Sequence, residues 1–357
     1  MDPRKDKNRS VKLGVNVGYW GFGLTAADQL EIARTAEDLG YDSVWTAEAY
    51  GSDAATVLAW LAAGTTRIKL GSGILQIPAR SAAMTAMTAA TIDQLSGGRF
   101  ILGLGSSGPQ VSEGWHGVRF AKQLQRTREY VAVVRMALAH QKVEFHGETI
   151  ELPLPDGPGK VLKLTIRPAQ AKIPIYLAVL GPKNVALAGE IADGWLPVFF
   201  SPEHTATLRV PLEEGAARAG RSLDDFRICP LVNVMIGDDL GSARDAMRPM
   251  LSLYVGGMGS RAQNFYNRLV STYGFEAAAR EVQDLYLAGR KSEAAMALPD
   301  ELIDAVSIVG PRDLARERIR AFKEAGVDTL IVAPMAMDTE TRKQQMRLVA
   351  ELAQEVG

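Results

Sequence analysis

The sequence predicts a (β/α)8 TIM barrel with insertions, and three observations predict it. Short apolar runs alternate with helical patterns at roughly 30-residue spacing, as successive strand–helix–strand units do. Eight such runs occur, more than an open doubly wound sheet needs, and that sheet would leave its edges exposed. The runs end in loops crowded with glycine, serine and aromatic residues, and ligands enter α/β proteins at that end of the strands. With 357 residues and 47% hydrophobic content, the chain is long enough to close one such barrel. Residues 1–10 are expected to be a flexible tail and residues 11–357 a single domain, with insertions at about 141–170 and 256–306.

Taken in order, Met1–Ser10 is charged and has no apolar core, so it reads as a tail and not a signal peptide. Leu13–Val17 is the first strand. Thr25 caps a helix with Asp28 as its acidic partner three residues on, and that helix stops at Gly40. Asp42–Thr46 is strand two, Asp53–Ala63 an alanine-rich helix, and Ile68–Leu75 strand three. A helix over Ala82–Leu95 stops at Gly97, and Arg99 opens strand four, which ends in Gly103-Leu104-Gly105. Met84 and Met87 sit three apart on that helix and read as core. Gln123–Ala139 is the fourth helix.

The rhythm then breaks. Lys142–Ile150 and Val161–Ile166 read as a strand pair around a turn rich in proline and glycine. The repeat resumes with Ile175–Val179, a helix over Lys183–Ile191, Gly194–Phe199 and a helix over Glu203–Ala219. Arg227–Ile236 is strand seven and Ser242–Leu253 its helix. Gly256–Asp304 shows helical patterns without a parallel strand. Arg312–Ala325 is a helix, Thr329–Ala333 strand eight, and Thr339–Glu355 the closing helix.

A formal net charge of −1 gives no electrostatic case for nucleic acid or an anionic membrane. No uncharged apolar run reaches bilayer length, which predicts a soluble protein. A single cysteine, Cys229, excludes an internal disulfide and points to a reducing cytoplasm. Apolar helices suggest a homodimer without specifying its face.

In a barrel the strand ends converge on one mouth. Into it would project Tyr19, Trp20 and Phe22 from the first loop, Glu48 and Tyr50 from the second, and Gln76 from the third. Ser106, Ser107, Gln110, Trp115 and His116 come from the fourth, Phe199 and Phe200 from the sixth, and Met335 from the eighth. Many aromatics with few ionisable groups suit a flat, uncharged ring system better than a sugar or a metal ion. The plain alternative is that each aromatic caps the barrel core. Gly181 ahead of Pro182 leaves amides free at a helix start beside Lys183, a phosphate cradle or an ordinary helix start.

Other chemistries lack their residues. His116, His140, His146 and His204 show no metal-ligand spacing, and no metal is expected. No serine sits in a Gly-x-Ser-x-Gly elbow. Cys229 lies in an apolar strand and reads as an inert core thiol. Lys163, Arg261 and Arg268 could meet an anionic ligand, although isolated surface bases are more often solvated. Such a mouth suits an enzyme that lets a bound cofactor do the chemistry.

The chain closely resembles the luciferase-like monooxygenase superfamily, in its branch of coenzyme F420-dependent oxidoreductases. The resemblance is carried by Leu13-Gly14-Val15, Tyr41-Asp42-Ser43-Val44-Trp45-Thr46-Ala47-Glu48 and Leu70-Gly71-Ser72-Gly73-Ile74-Leu75. It continues through Gln94-Leu95-Ser96-Gly97-Gly98-Arg99-Phe100 and Ala192-Asp193-Gly194-Trp195. The deazaflavin branch is marked by Ser106-Ser107-Gly108-Pro109-Gln110 with Gly114-Trp115-His116-Gly117. The resemblance implies a bacterial luciferase-like barrel binding the deazaflavin ring at the strand ends. Gly73-Ile74 falls where relatives have a non-prolyl cis peptide behind the ring, and Glu48 where they place an acid near it. Gly105, Ser106, Ser107 and Gly108, with Leu180 and Gly181, match loops that contact the cofactor's tail and phosphate.

Two departures narrow the activity. Sugar-phosphate dehydrogenases of this branch carry a histidine after the acid, where this chain has Ala49, and a glutamate in the fourth loop, where it has the Gly108 region. An imine or activated alkene reductase, which needs at most one proton donor, fits better. Glu48, Tyr50 or His116 could supply that proton. The rival expectations are an FMN-dependent monooxygenase and a non-catalytic F420-binding protein.

Overall fold

The computed structural model describes residues 10–18 and 24–357. Eight parallel strands form the barrel: β1 Lys12–Gly18, β2 Ser43–Thr46, β3 Lys69–Ser72, β4 Phe100–Gly105, β5 Ile175–Leu177, β6 Gly194–Trp195, β7 Arg227–Ile228 with Leu231–Ile236, and β8 Thr329–Pro334. Each pairs with the next in chain order, through Gly14↔Ser43, Val44↔Leu70, Leu70↔Phe100, Leu102↔Ile175 and Tyr176↔Gly194. β7 makes the closure in two pieces. Its first pairs with β6 at Gly194↔Arg227, and its second with β8 at Leu231↔Ile331. Lys12↔Thr329 then joins β8 to β1. Cys229 and Pro230 separate the two pieces, since proline cannot donate to a ladder.

The first three helices follow their capping signals. Helix α1, Ala26–Asp38, carries the Thr25/Asp28 capping box, and α2, Ala54–Gly64, is capped by Asp53. Ser81 caps α3, Ala82–Leu95. α4 spans Gln123–Leu138, α5 Pro182–Ile191, α6 Thr205–Arg218 and α7 Leu240–Ser252. α8, Arg312–Glu324, precedes β8, and α9, Thr339–Val356, closes the fold. α5 and α6 touch backbone to backbone. A Cβ at Gly189 would lie 2.1 Å from the Leu212 carbonyl oxygen, and one at Gly215 would lie 1.8 Å from that of Ala186.

The barrel interior holds Trp45, Ile101, Tyr176, Leu196, Cys229 and Ile331, with the Trp45 and Tyr176 rings stacked at 6.2 Å. Burial pushes the Cys229 thiol far up, as an inert core thiol requires. A larger apolar layer lies between the strands and the helices. A third cluster, including Phe199, Met247, Tyr273 and Leu302, packs the 240–306 region onto the barrel.

Four expectations are corrected. In the first insertion the expected strand pair is kept only as Lys142–Val143 with Leu162–Lys163, while Phe145–His146 pairs with Glu151–Leu152 in a ladder of its own. Its inner turn is held by the buried Glu129, which accepts from the Glu148, Thr149 and Ile150 amides. Ser307–Gly310 is an additional parallel strand beside Asn233–Ile236, in a segment where the sequence reading placed no strand. Met84 and Met87 are each 49% exposed, because the buried stripe of α3 is its alanine side, Ala82, Ala86, Ala89 and Ala90. Phe200 is buried against Trp195 and Phe322 at 6.1 and 6.2 Å, between barrel and helices and not at the mouth. The expected tail lies outside the described residues apart from Ser10.

Candidate active site

The mouth is built at the ends of β2 to β6. Glu48 follows β2, and its side chain is only 8% exposed. Both carboxylate oxygens accept from the Arg80 guanidinium, Oε2 at 3.1 Å. Oε1 also accepts from the Gln76 amide at 2.9 Å and Oε2 from the Ala54 amide at 3.2 Å. Arg80 reaches Asp53, the cap of α2, as well. Burial works against the charge on Arg80, and Glu48 and Asp53 more than restore it, so its pKa rises. Glu48 is thus a hub joining the second and third loops.

After Ser72 the chain leaves β4 for two residues. The Gly73–Ile74 peptide is cis, where the resemblance placed such a bond. The Ser72 hydroxyl donates to the Gly103 carbonyl at 2.9 Å and accepts from the Gly103 amide at 2.8 Å. Pairing with β4 resumes at Leu75↔Leu104 and Gln76↔Gly105. Ile74 then lies against bare backbone, since a Cβ at Gly105 would come within 2.5 Å of its Cδ1.

The loops after β4 and β5 are neighbours, tied by the Ala178 amide donating to Leu104 at 2.9 Å. Ser106 and Ser107 make no hydrogen bond with the described chain, and Ser107 has a φ of 58°. Across from them α5 begins at Gly181 with no side-chain cap. Hydroxyls and amides without acceptors, beside an uncapped helix start, match the needs of an anion attached to a polar chain. The residues present therefore fit the phosphate-bearing part of a deazaflavin or flavin.

The other expected site residues separate. Tyr19, Trp20 and Phe22 lie outside the described residues. Tyr50 is 62% exposed and Trp115 67% exposed, both out on the rim. His116 is half-buried, and its Nε2 lies 3.2 Å from Gln76 Oε1. Phe199 is buried with Tyr254 and Tyr266 at 5.8 and 5.7 Å. Phe120, after the fourth loop, meets Phe265 at 6.4 Å, so the second insertion reaches over to the loop that carries His116. Met335 packs against the 240–306 cluster. Arg261 is paired with Asp284, and Arg268 lies over the Phe265 ring at 5.0 Å.

Sequence reasoning missed Arg80, Tyr254 and Tyr266. An arginine a few residues beyond the end of strand three, opposite an acid after strand two, is the signal for Arg80. Aromatics in the segment following strand seven are the signal for the tyrosines. Among the described residues, no group of three His, Cys, Asp or Glu could hold a metal ion, and no helix is long and apolar enough to cross a membrane.

A barrel with this mouth defines a class that the family match makes specific. Residues 12–329 match the luciferase-like monooxygenase family, and the chain belongs to it. It is 47% identical over 329 residues to a Mycobacterium tuberculosis protein named as a coenzyme F420-dependent oxidoreductase, covering 90% of this chain and 94% of the relative. It is 30% identical over 320 residues to the 5,10-methylenetetrahydromethanopterin reductase of Archaeoglobus fulgidus, covering 89% and 92%. Among solved structures, the coenzyme F420-dependent tetrahydromethanopterin reductase of Methanopyrus kandleri superposes with a TM-score of 0.81 at 25% identity, over 96% of this chain and 98% of that one.

Proposed function

We propose that this protein is a coenzyme F420-dependent oxidoreductase that moves a hydride between the deazaflavin and an imine or activated alkene. The observation that carries the reading is the set of unpaired donors at Ser106 and Ser107 beside the uncapped start of α5. The F420-dependent relatives support the choice of cofactor. Bound reduced deazaflavin supplies the hydride. Gly105, Ser106, Ser107 and Gly108, with Leu180 and Gly181, hold its phosphate-bearing chain, and Gly73, Ile74 and Glu48 lie at the ring. Ala49 and Gly108 stand where an alcohol dehydrogenase of this branch would need its histidine and glutamate, which favours an acceptor needing one proton. Glu48 is occupied as an acceptor and Tyr50 stands in solvent, so His116 is the proton donor.

Titration with F420 and with flavin mononucleotide, each followed by ring fluorescence, tests the reading. Micromolar or tighter binding of F420, with flavin at least tenfold weaker, is the expected result. A preference for flavin would replace hydride transfer by monooxygenation, and binding of neither would remove the cofactor.

Trp60 on α2 and Met84, Met87 and Leu95 on α3 put large apolar side chains in solvent on adjacent helices. That face suits a second copy of the chain, in a cytoplasm that keeps Cys229 reduced. Sedimentation is expected to give two chains per particle, and Trp60→Glu with Met87→Glu to give one. A wild type that sediments as a single chain refutes the dimer.

A further inference from the structure

We infer that Gln76 is a positioning residue that locks His116 in its Nε2–H form and leaves Nδ1 as the nitrogen that gives the proton. The inference rests on the hydride-transfer reading, with His116 as donor.

Gln76 is 2% exposed and fixed at three points. Its backbone amide donates to Glu48 at 2.9 Å, its side-chain Nε2 donates to the Ala49 carbonyl at 2.9 Å, and its Oε1 lies 3.2 Å from His116 Nε2. Turning the amide over would set its oxygen against the Ala49 carbonyl, two acceptors face to face in a buried place. The orientation is therefore determined, and an amide oxygen only accepts. His116 Nε2 must carry the hydrogen of that bond in both the neutral and the charged ring. Protons then enter and leave at Nδ1 alone, which makes no hydrogen bond with the described chain.

The same contacts explain Glu48 and Arg80. Arg80 fixes Glu48, Glu48 fixes the Gln76 backbone, and Gln76 sets the ring of His116, forty residues away in sequence. Loops two, three and four thereby act as one frame. In turnover, the hydride from reduced deazaflavin forms the new C–H bond on the acceptor. The electron pair of the acceptor's double bond moves to its other atom, nitrogen or carbon. That atom takes the Nδ1 proton, and the N–H electron pair stays on the ring. The acceptor ends reduced, the deazaflavin oxidised, and His116 neutral as Nε2–H until water reprotonates Nδ1.

The test uses cofactor-free protein carrying 15N-labelled histidine, with the His116 signals assigned by their loss in His116→Asn. In alkaline solution, where the ring is neutral, the wild type is expected to show a pyrrole-type Nε2 and a pyridine-type Nδ1. Gln76→Leu is expected to give a mixture of the two forms and, supplied with reduced F420 and an enone acceptor, to lower kcat about tenfold with KM little changed. Gln76→Glu keeps an acceptor oxygen in place and is expected to restore the Nε2–H signature. A wild-type ring protonated at Nδ1, or a Gln76→Leu spectrum identical to wild type, overturns the lock without any activity measurement. Full turnover in His116→Asn overturns the donor role, and failure to bind F420 overturns the hydride-transfer reading, each as a separate observation.

Discussion

Gly103→Ala is expected to yield a protein less stable by about 3–4 kcal/mol, near the limit of what a single domain of this kind tolerates. A Cβ at this position would sit 1.9 Å from the Ser72 carbonyl oxygen and 2.9 Å from Leu196 Cδ1. The nearer atom is backbone and cannot rotate away. Ser72 is also where β3 parts from β4, and its hydroxyl makes both hydrogen bonds that Gly103 would otherwise share with a strand. Moving Ser72 aside to admit a methyl would break both and leave a buried carbonyl and amide unpaired. Urea unfolding midpoints measure the loss. Gly114→Ala is the control, because a Cβ there meets nothing within 4 Å. A Gly103→Ala protein that unfolds at the wild-type urea concentration would refute this account of the floor of the mouth.

Glu48→Gln is expected to cost about 2–3 kcal/mol of stability and most of the activity, through Arg80 and not through a lost proton. An amide offers one acceptor where the carboxylate serves four donors, and its NH2 would face a donor. Breaking a largely buried pair from one side strands the partner charge. Arg80→Met should therefore resemble Glu48→Gln in both stability and kcat, and the double variant should be hardly worse than either alone. A proton-donating Glu48 predicts the opposite: stability kept in Glu48→Gln, activity kept in Arg80→Met, and additive losses. Denaturation and kinetics on the three variants separate the two.

Much of the fold was legible because the signals are local. The stop at Gly97 marks the end of α3, and both ends of that helix fall where the sequence put them. The Thr25/Asp28 box likewise marks α1. What escaped depended on distance. Ser307–Gly310 is four residues long, and only its parallel partner Asn233–Ile236 makes it a strand. Met84 and Met87 look like core by hydrophobicity, yet the small residues of α3 are what fit against the sheet. At the site, Glu48 and His116 could be picked out as chemistry-bearing residues at strand ends. Their bonding could not, because Arg80 is 32 residues from Glu48 and Gln76 is 40 from His116. Gln76 carries no charge and stood in the sequence as one more rim residue.

The backbone contact between α5 and α6 has a consequence for selectivity. Side chains at a helix crossing act as springs that let one helix slip against the other, and at Gly189 and Gly215 there are none to compress. α5 is therefore set relative to α6 when the chain folds, before any ligand arrives. In the proposed binding mode a phosphate at the start of α5 would meet donors already aimed, so little motion would be frozen on binding. The same stiffness makes the cradle unforgiving. In the proposed binding mode, an anion whose tether is too short to reach Gly181 while its ring rests on Ile74 would be refused by geometry, because the helix cannot travel to meet it.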